Sequence, residues 1–184
     1  MGLPGGNAVA SNIETHVAAI RLCLDNHLHM PGLVLIYCGI DVLANLCRPA
    51  DNPEVMPTDF VNWSERYMEC EKHLGVSGLD LYGARCGILH AYTMDSRLST
   101  KGRARRILYA WGDKKPDDAM KVLRALELPE VVIKIEELFT TLLRGIGAFG
   151  KTLDDDPELQ SLVAQRGRKL FMDRASFPGV EPSY

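Results

Sequence analysis

The stretch Pro31 to Cys47, PGLVLIYCGIDVLANLC, decides the fold. Its apolar side chains fall on every side of a helical projection, so this helix belongs at the centre of a packed bundle, not on its surface. Pro31 suits the first turn of such a helix, and Arg48-Pro49 ends it. Asp41 sits near its middle, which breaks the apolar run before it reaches the roughly 18 to 20 residues of a membrane span. No membrane association is expected.

Outward from this centre, neighbouring segments read as helices. Ser11 or Asn12 can cap a helix to about Asn26, in which Ile13, Val17, Ile20 and Leu24 form one stripe. Thr58 can cap another through about His73, with Phe60, Trp63, Tyr67 and Cys70 inside. Gly75 and Gly78 break the chain before a helix from Leu79 to about Tyr92. Residues 105–111 (RRILYAW) and 131–135 (VVIKI) are short and rich in bulky residues, so they read as two strands able to pair. Helices are expected from Pro116 to Leu126, from about Glu136 to Phe149, and from Pro157 onward, the carboxylates Asp154, Asp155 and Asp156 serving that last helix start. The fold class is mainly α, a helical bundle with a small two-stranded β element. Residues 1–10 are expected as a flexible tail, 11–175 as a single domain and 176–184 as a second tail.

The 184 residues suffice for one core of ordinary size. A formal charge of −3 excludes a surface that binds nucleic acid everywhere, so an anionic partner must be met locally. The cysteines number five, none in a CxxC pair, and the start of the chain lacks the basic and apolar regions of a signal peptide. A reducing, cytoplasmic setting is expected, with no structural metal and no cofactor. His27 and His29 stand two apart, which suits a loop turn better than a metal site. Neither GxGxxG nor GxxxxGK[ST] occurs, which argues against phosphate-loop chemistry.

The candidate chemistry lies in Asp80 to Thr93, DLYGARCGILHAYT. Arg85, His90 and Tyr92 form R-x4-H-x-Y. An arginine offers a fixed charge with forked donors that match a phosphate, and a histidine titrates near neutrality and can move a proton. Together they suit phosphodiester cleavage, in which a base takes the 2′-OH proton, an acid protonates the leaving oxygen and a cation holds the charged phosphorane. One histidine cannot easily serve as both acid and base, but a two-fold dimer would bring two copies together. Residues five apart lie roughly 140° apart on a helix, so Arg85 and His90 are not expected on one tight face, while Tyr92 lies almost above Arg85. Gly83 and Gly87 leave room for a close approach. The plainer alternative is that Arg85 pairs with Asp41 or Asp80 and His90 is an interior histidine. Cys86 and His90, four apart, could also suggest a thiol nucleophile with its base, although no orienting acid is identifiable. Lys101, Arg103, Arg105 and Arg106 follow closely and could guide an RNA backbone, or form a solvated loop.

LYGARCGILHAY, preceded by LVLIYCGIDVLANL, resembles the HEPN superfamily over roughly Ile13 to Tyr92. The resemblance implies a helical bundle that dimerises with its R-x4-6-H motif at the interface, often as a metal-independent endoribonuclease of toxin–antitoxin and phage-defence systems. It assigns Arg85 and His90 as the motif residues. It also assigns Tyr92 as the tyrosine that a partner nucleotidyltransferase antitoxin modifies in the R-x4-H-x-Y form. The implied ligand is RNA or a nucleotide. Cys86 departs from the pattern, since family ribonucleases usually carry a polar residue such as Asn, Asp or His directly after the arginine. The competing function is a non-catalytic dimeric interaction or nucleotide-binding module in which Arg85 and His90 are structural.

Overall fold

The computed structural model describes residues 4–52 and 54–170, with side chains from residue 9 onward. The chain is mainly helical. Helix α2 (His29–Cys47) is the centre, and its Leu33, Ile36, Tyr37, Ile40 and Leu46 are fully buried. This helix is long and apolar enough, by length and composition, to cross a membrane, yet half of its most apolar window is buried inside the protein. Against it pack α1 (Pro4–Asp25), α3 (Pro57–Trp63), α5 (Gly78–Ala91), α8 (Ile135–Asp155) and α9 (Pro157–Leu170).

The first helix begins at Pro4, not at the Ser11–Asn12 cap, so residues 4–10 are helical and only 1–3 of the expected tail remain outside the described residues. The reason is tertiary. Val9 is buried and, with Ala10, lines a cavity of about 320 Å³ against Phe149 and Val163, so the helix gains a partner that the local pattern does not reveal. Residues 171–175 and the expected tail from 176 lie outside the described residues.

The expected helix from Thr58 to His73 is broken. After α3 the chain makes a π-helical turn over Ser64–Met68, Glu69 adopts a left-handed conformation (φ 46°), and a short α4 (Cys70–Leu74) follows. Ser64 Oγ donates to the carbonyl of Phe60 at 2.8 Å, the back-bonding that loosens a helix at serine. Phe60, Trp63, Tyr67 and Cys70 are nonetheless all buried, so the inner stripe survives the change in helical type. The last long helix runs to Asp155, past Gly150, and Asp156 Oδ1 then accepts the Leu159 N–H at 2.9 Å to start α9.

Strands β1 (Ile107–Ala110) and β2 (Val131–Lys134) pair in parallel, Ile107 opposite Val131 and Ala110 opposite Lys134. A parallel pair needs a crossover, here supplied by α7 (Pro116–Ala125). Tyr109 on β1 reaches the core, where its hydroxyl lies 2.5 Å from that of Tyr37 on α2. Burial pushes both phenols up.

Candidate functional site

Helix α5 is placed by both its ends. At its start Ser77 and Asp80 form a capping box: Asp80 N–H donates to Ser77 Oγ at 3.1 Å and Ser77 N–H to Asp80 Oδ2 at 3.0 Å. Asp80 also receives Arg105 through its backbone N–H (2.6 Å), Nε (3.0 Å) and Nη2 (2.7 Å). Burial pushes the Asp80 carboxyl up, but these donors outweigh it and hold the group below the usual carboxylate range. At its end the helix stops at Ala91, and Tyr92 adopts a left-handed conformation (φ 52°). A short connection, residues 92–96, then returns along the glycine face. A side chain on Gly87 would meet the carbonyl oxygens of Thr93 and Asp95, both 2.6 Å from where its Cβ would stand.

On another face Arg85 Nε donates to Asp41 Oδ2 of α2 at 2.8 Å, while Arg85 Nη1 donates to His90 Nε2 at 3.2 Å. The structure therefore joins Arg85, His90 and Asp41, despite the projected angle between Arg85 and His90. The arginine side chain is long enough to span that angle, and His90 is exposed, not interior. Of the two acids considered for Arg85, Asp41 takes it and Asp80 takes Arg105. Because a guanidinium can only donate, this contact requires an unprotonated Nε2 and puts the neutral ring's proton on Nδ1. Burial raises the Asp41 carboxyl, and Arg85 only partly reverses the shift.

Two neighbours complete the setting. The guanidinium carbon of Arg85 lies 6.0 Å from the ring centroid of Tyr82, which packs edge-on against Phe60. Burial raises the Tyr82 phenol, with Cys86 adding to the effect. Cys38, one turn before Asp41, is raised first by burial and then by Asp41. Tyr82 and Cys38 were not singled out in the sequence, although each lies three residues before a named site residue on the same helix. Cys86 is half-buried beside Arg85. Tyr92 is 67% exposed, and because the helix has ended before it, projection above Arg85 no longer describes its position.

The basic run divides. Arg105 is committed to Asp80, and Arg106 pairs with Asp95 at 2.7 Å and Glu130 at 3.2 Å, whereas Lys101 and Arg103 are exposed around Gly102. Asp95 and Glu130 carried no sequence signal, because both stand in connections that only the fold brings to Arg106. Among the described residues no group of three or more His, Cys, Asp or Glu side chains is arranged to hold a metal ion. Comparison with protein-family models, with curated proteins and with solved structures finds no match.

Proposed function

We propose that this chain is a HEPN-like, cytoplasmic RNA-binding protein that acts as a metal-independent endoribonuclease of the toxin or phage-defence kind, as a homodimer centred on α5. The observation that carries the reading is the 3.2 Å contact between Arg85 Nη1 and His90 Nε2 at an exposed helix end, with Asp41 holding the opposite edge of the guanidinium. Asp41 fixes Nε, which aims the Nη edge outward, where a scissile phosphate would replace His90 as its acceptor. His90 Nε2, freed from the arginine, would then take the 2′-OH proton. Arg85 would stabilise the phosphorane, and the second copy's histidine would protonate the leaving oxygen. Tyr92, exposed just beyond the helix, is where a nucleotidyltransferase antitoxin would act on this reading.

The test is incubation of the purified protein with total cellular RNA in excess chelator, beside His90→Ala, with fragments analysed for 2′,3′-cyclic phosphate ends. Cleavage by the wild type alone is expected. Cleavage retained in His90→Ala overturns the assignment of His90. The second reading, a non-catalytic interaction or nucleotide-binding module, draws on the Arg85–Asp41 ion pair, which ties α5 to the central helix whether or not the site is catalytic. A folded dimer that cleaves no RNA, and that loses about 2 kcal/mol or more on truncation of Arg85, supports it.

A further inference from the structure

Another concentration of positive charge stands at the C-terminal end of α2, apart from both Arg85 and the basic run that follows α6 (Arg97–Thr100). A cavity of about 170 Å³ lies there, and Cys47, Arg48, Asp59, Asn62, Arg66 and Tyr67 are among the residues that line it. Arg166 of α9 stands beside it, donating to the carbonyls of Leu46 (3.1 Å), Pro49 (2.8 Å) and Arg48. Arg48 donates through Nε to the carbonyl of Asn52 at 3.0 Å, and through Nη1 to the carbonyl of Asn45 at 3.2 Å and to its side-chain oxygen. These acceptors carry no charge, so they hold the two guanidiniums in place without cancelling them. The pair is close enough to repel: Arg166 is pulled below the usual arginine value by burial and then by Arg48. Set against the three arginines is one carboxylate of the cavity wall, Asp59, whose Oδ2 accepts the Met56 N–H at 2.8 Å.

Bonding the carbonyls at the end of α2 accounts for Arg48 and Arg166. It does not account for Arg66. That side chain is exposed and lies over the Tyr67 ring at 5.1 Å, and its guanidinium makes no hydrogen bond or ion pair among the described residues. It is carried by the π-helical turn Ser64–Met68, a form that is uncommon and recurs at functional sites.

The cavity is also tied to the candidate site. Cys38, Asp41, Asn45 and Arg48 recur on α2 at spacings of three, four and three, so they form one half-buried polar seam on an otherwise apolar helix. Asp41 holds Arg85 at one point of the seam, and Arg48 lines the cavity about 10 Å further along the axis. A duplex strand presents a phosphate about every 3.4 Å of axis, so a strand with one phosphate at Arg85 has another to offer this cavity roughly three nucleotides away.

We propose that the cavity between Arg48 and Arg66 is a second phosphate-binding subsite for the RNA backbone, which holds the strand whose neighbouring phosphate lies at Arg85. Arg66 meets the phosphate, and Arg48 and Arg166 supply fixed positive charge around it. The inference rests on the RNA reading for its ligand but not on cleavage.

The test is fluorescence-anisotropy titration of the full chain with a labelled 2′-O-methyl oligoribonucleotide, which offers no 2′-OH to attack, over a series of salt concentrations. Arg66→Ala should weaken binding by about tenfold at low salt and lessen the slope of log K against log salt by about 0.7, the share of one phosphate contact on a single strand. Arg66→Lys should keep most of that slope, because a point charge also serves a phosphate. Arg124→Ala, on the exposed surface of α7, should change neither quantity. Arg66 is exposed, so its variants should fold, and a thermal melt checks this. No binding by the wild type, equal affinity and slope in Arg66→Ala, or the same loss in Arg124→Ala overturns the proposal. So does an NMR titration in which inorganic phosphate shifts the Arg66 Nε resonance and the oligonucleotide does not, which marks a site for a free anion. The two readings fail separately. Binding that depends on Arg66 without cleavage of any RNA sinks the ribonuclease and leaves the subsite; cleavage lost in His90→Ala, with binding indifferent to Arg66→Ala, does the reverse.

Discussion

Replacement of Asp80 by alanine should be among the most damaging single changes that leave the hydrophobic core untouched. The carboxylate is only 6% exposed and gathers the backbone N–H groups of Ser77 and Arg105 together with two donors of the Arg105 guanidinium. The guanidinium itself is 39% exposed and keeps the carbonyl of Gly75 at 3.0 Å, so it can be rehydrated and contributes little to the loss. The cost therefore falls mainly on the two stranded N–H groups, about 1 to 3 kcal/mol for each where water cannot reach it, and on the lost capping box. A total of about 3 kcal/mol is expected, at the lower end for breaking a buried ion pair. For a chain of this size that is a fall in Tm of about 6 to 12 °C. Urea unfolding followed by tryptophan fluorescence would read it as a lower midpoint with unchanged slope. The sign of the pH dependence is fixed as well. The Asp80 carboxyl is held below its unfolded value, so the unfolded chain binds its proton first as pH falls. The stability it supplies is complete above about pH 4 and is lost as pH falls through the folded-state value. The gap between wild type and Asp80→Asn should therefore shrink on going from about pH 5 to about pH 3. A loss below about 1 kcal/mol for the alanine variant, or a gap that does not shrink, refutes this account of how α5 is anchored.

Two further changes test different parts of the same frame. Tyr92→Gly should raise stability by about 0.5 to 1 kcal/mol in a thermal melt, because the left-handed conformation at the end of α5 costs a tyrosine and not a glycine; an unchanged or lower Tm means that the Tyr92 side chain holds the fold in place. Tyr109→Phe should cost about 1 to 3 kcal/mol by stranding the Tyr37 hydroxyl, while the Tyr37→Phe, Tyr109→Phe double variant should recover most of that loss, and additive losses in a double-mutant cycle would count against the pair.

The core was legible where a physical signal is local. The apolar α2, the Phe60–Trp63–Tyr67–Cys70 stripe, the break at Gly75 and the two short β-rich segments each state their environment in a few adjacent residues, whereas Gly78, expected as a second break, is the first residue of α5. What was not legible required a partner distant in the chain. Nothing near Pro4 announces that Val9 will find Phe149 and Val163, and no periodicity distinguishes an α-helix from the π-helical turn at Ser64–Met68 when the same side chains are buried either way. The site followed the same rule. Asp41 and Asp80 were both plausible partners for Arg85 by charge alone, and only the crossing of α2 with α5 decides between them. Asp95 and Glu130 could not have been chosen over other exposed acids before the fold placed them on Arg106.

The division of labour among three arginines links stability to the proposed chemistry. Arg105 commits Nε and Nη2 to Asp80 and Nη2 also to the carbonyl of Gly75, which holds it at the start of α5. Arg106 is held by Asp95 and Glu130 but keeps a buried Nε unpaired, and Arg85 is anchored through Nε with its Nη edge turned to an exposed histidine. A guanidinium anchored in this way has already given up much of the side-chain freedom that ligand binding would otherwise remove, roughly 2 kcal/mol for a fully mobile arginine. Asp41 therefore has a role beyond electrostatics. Burial raises its carboxyl and Arg85 reverses that shift only in part, while Asp41 in turn raises the Arg85 guanidinium against its burial, so the pair orients Arg85 as well as tying α5 to α2. Anchored through Nε by Asp41, with Nη1 turned to the exposed His90, Arg85 differs from its two neighbours in charge, and on the proposed reading it is the arginine that meets a phosphate.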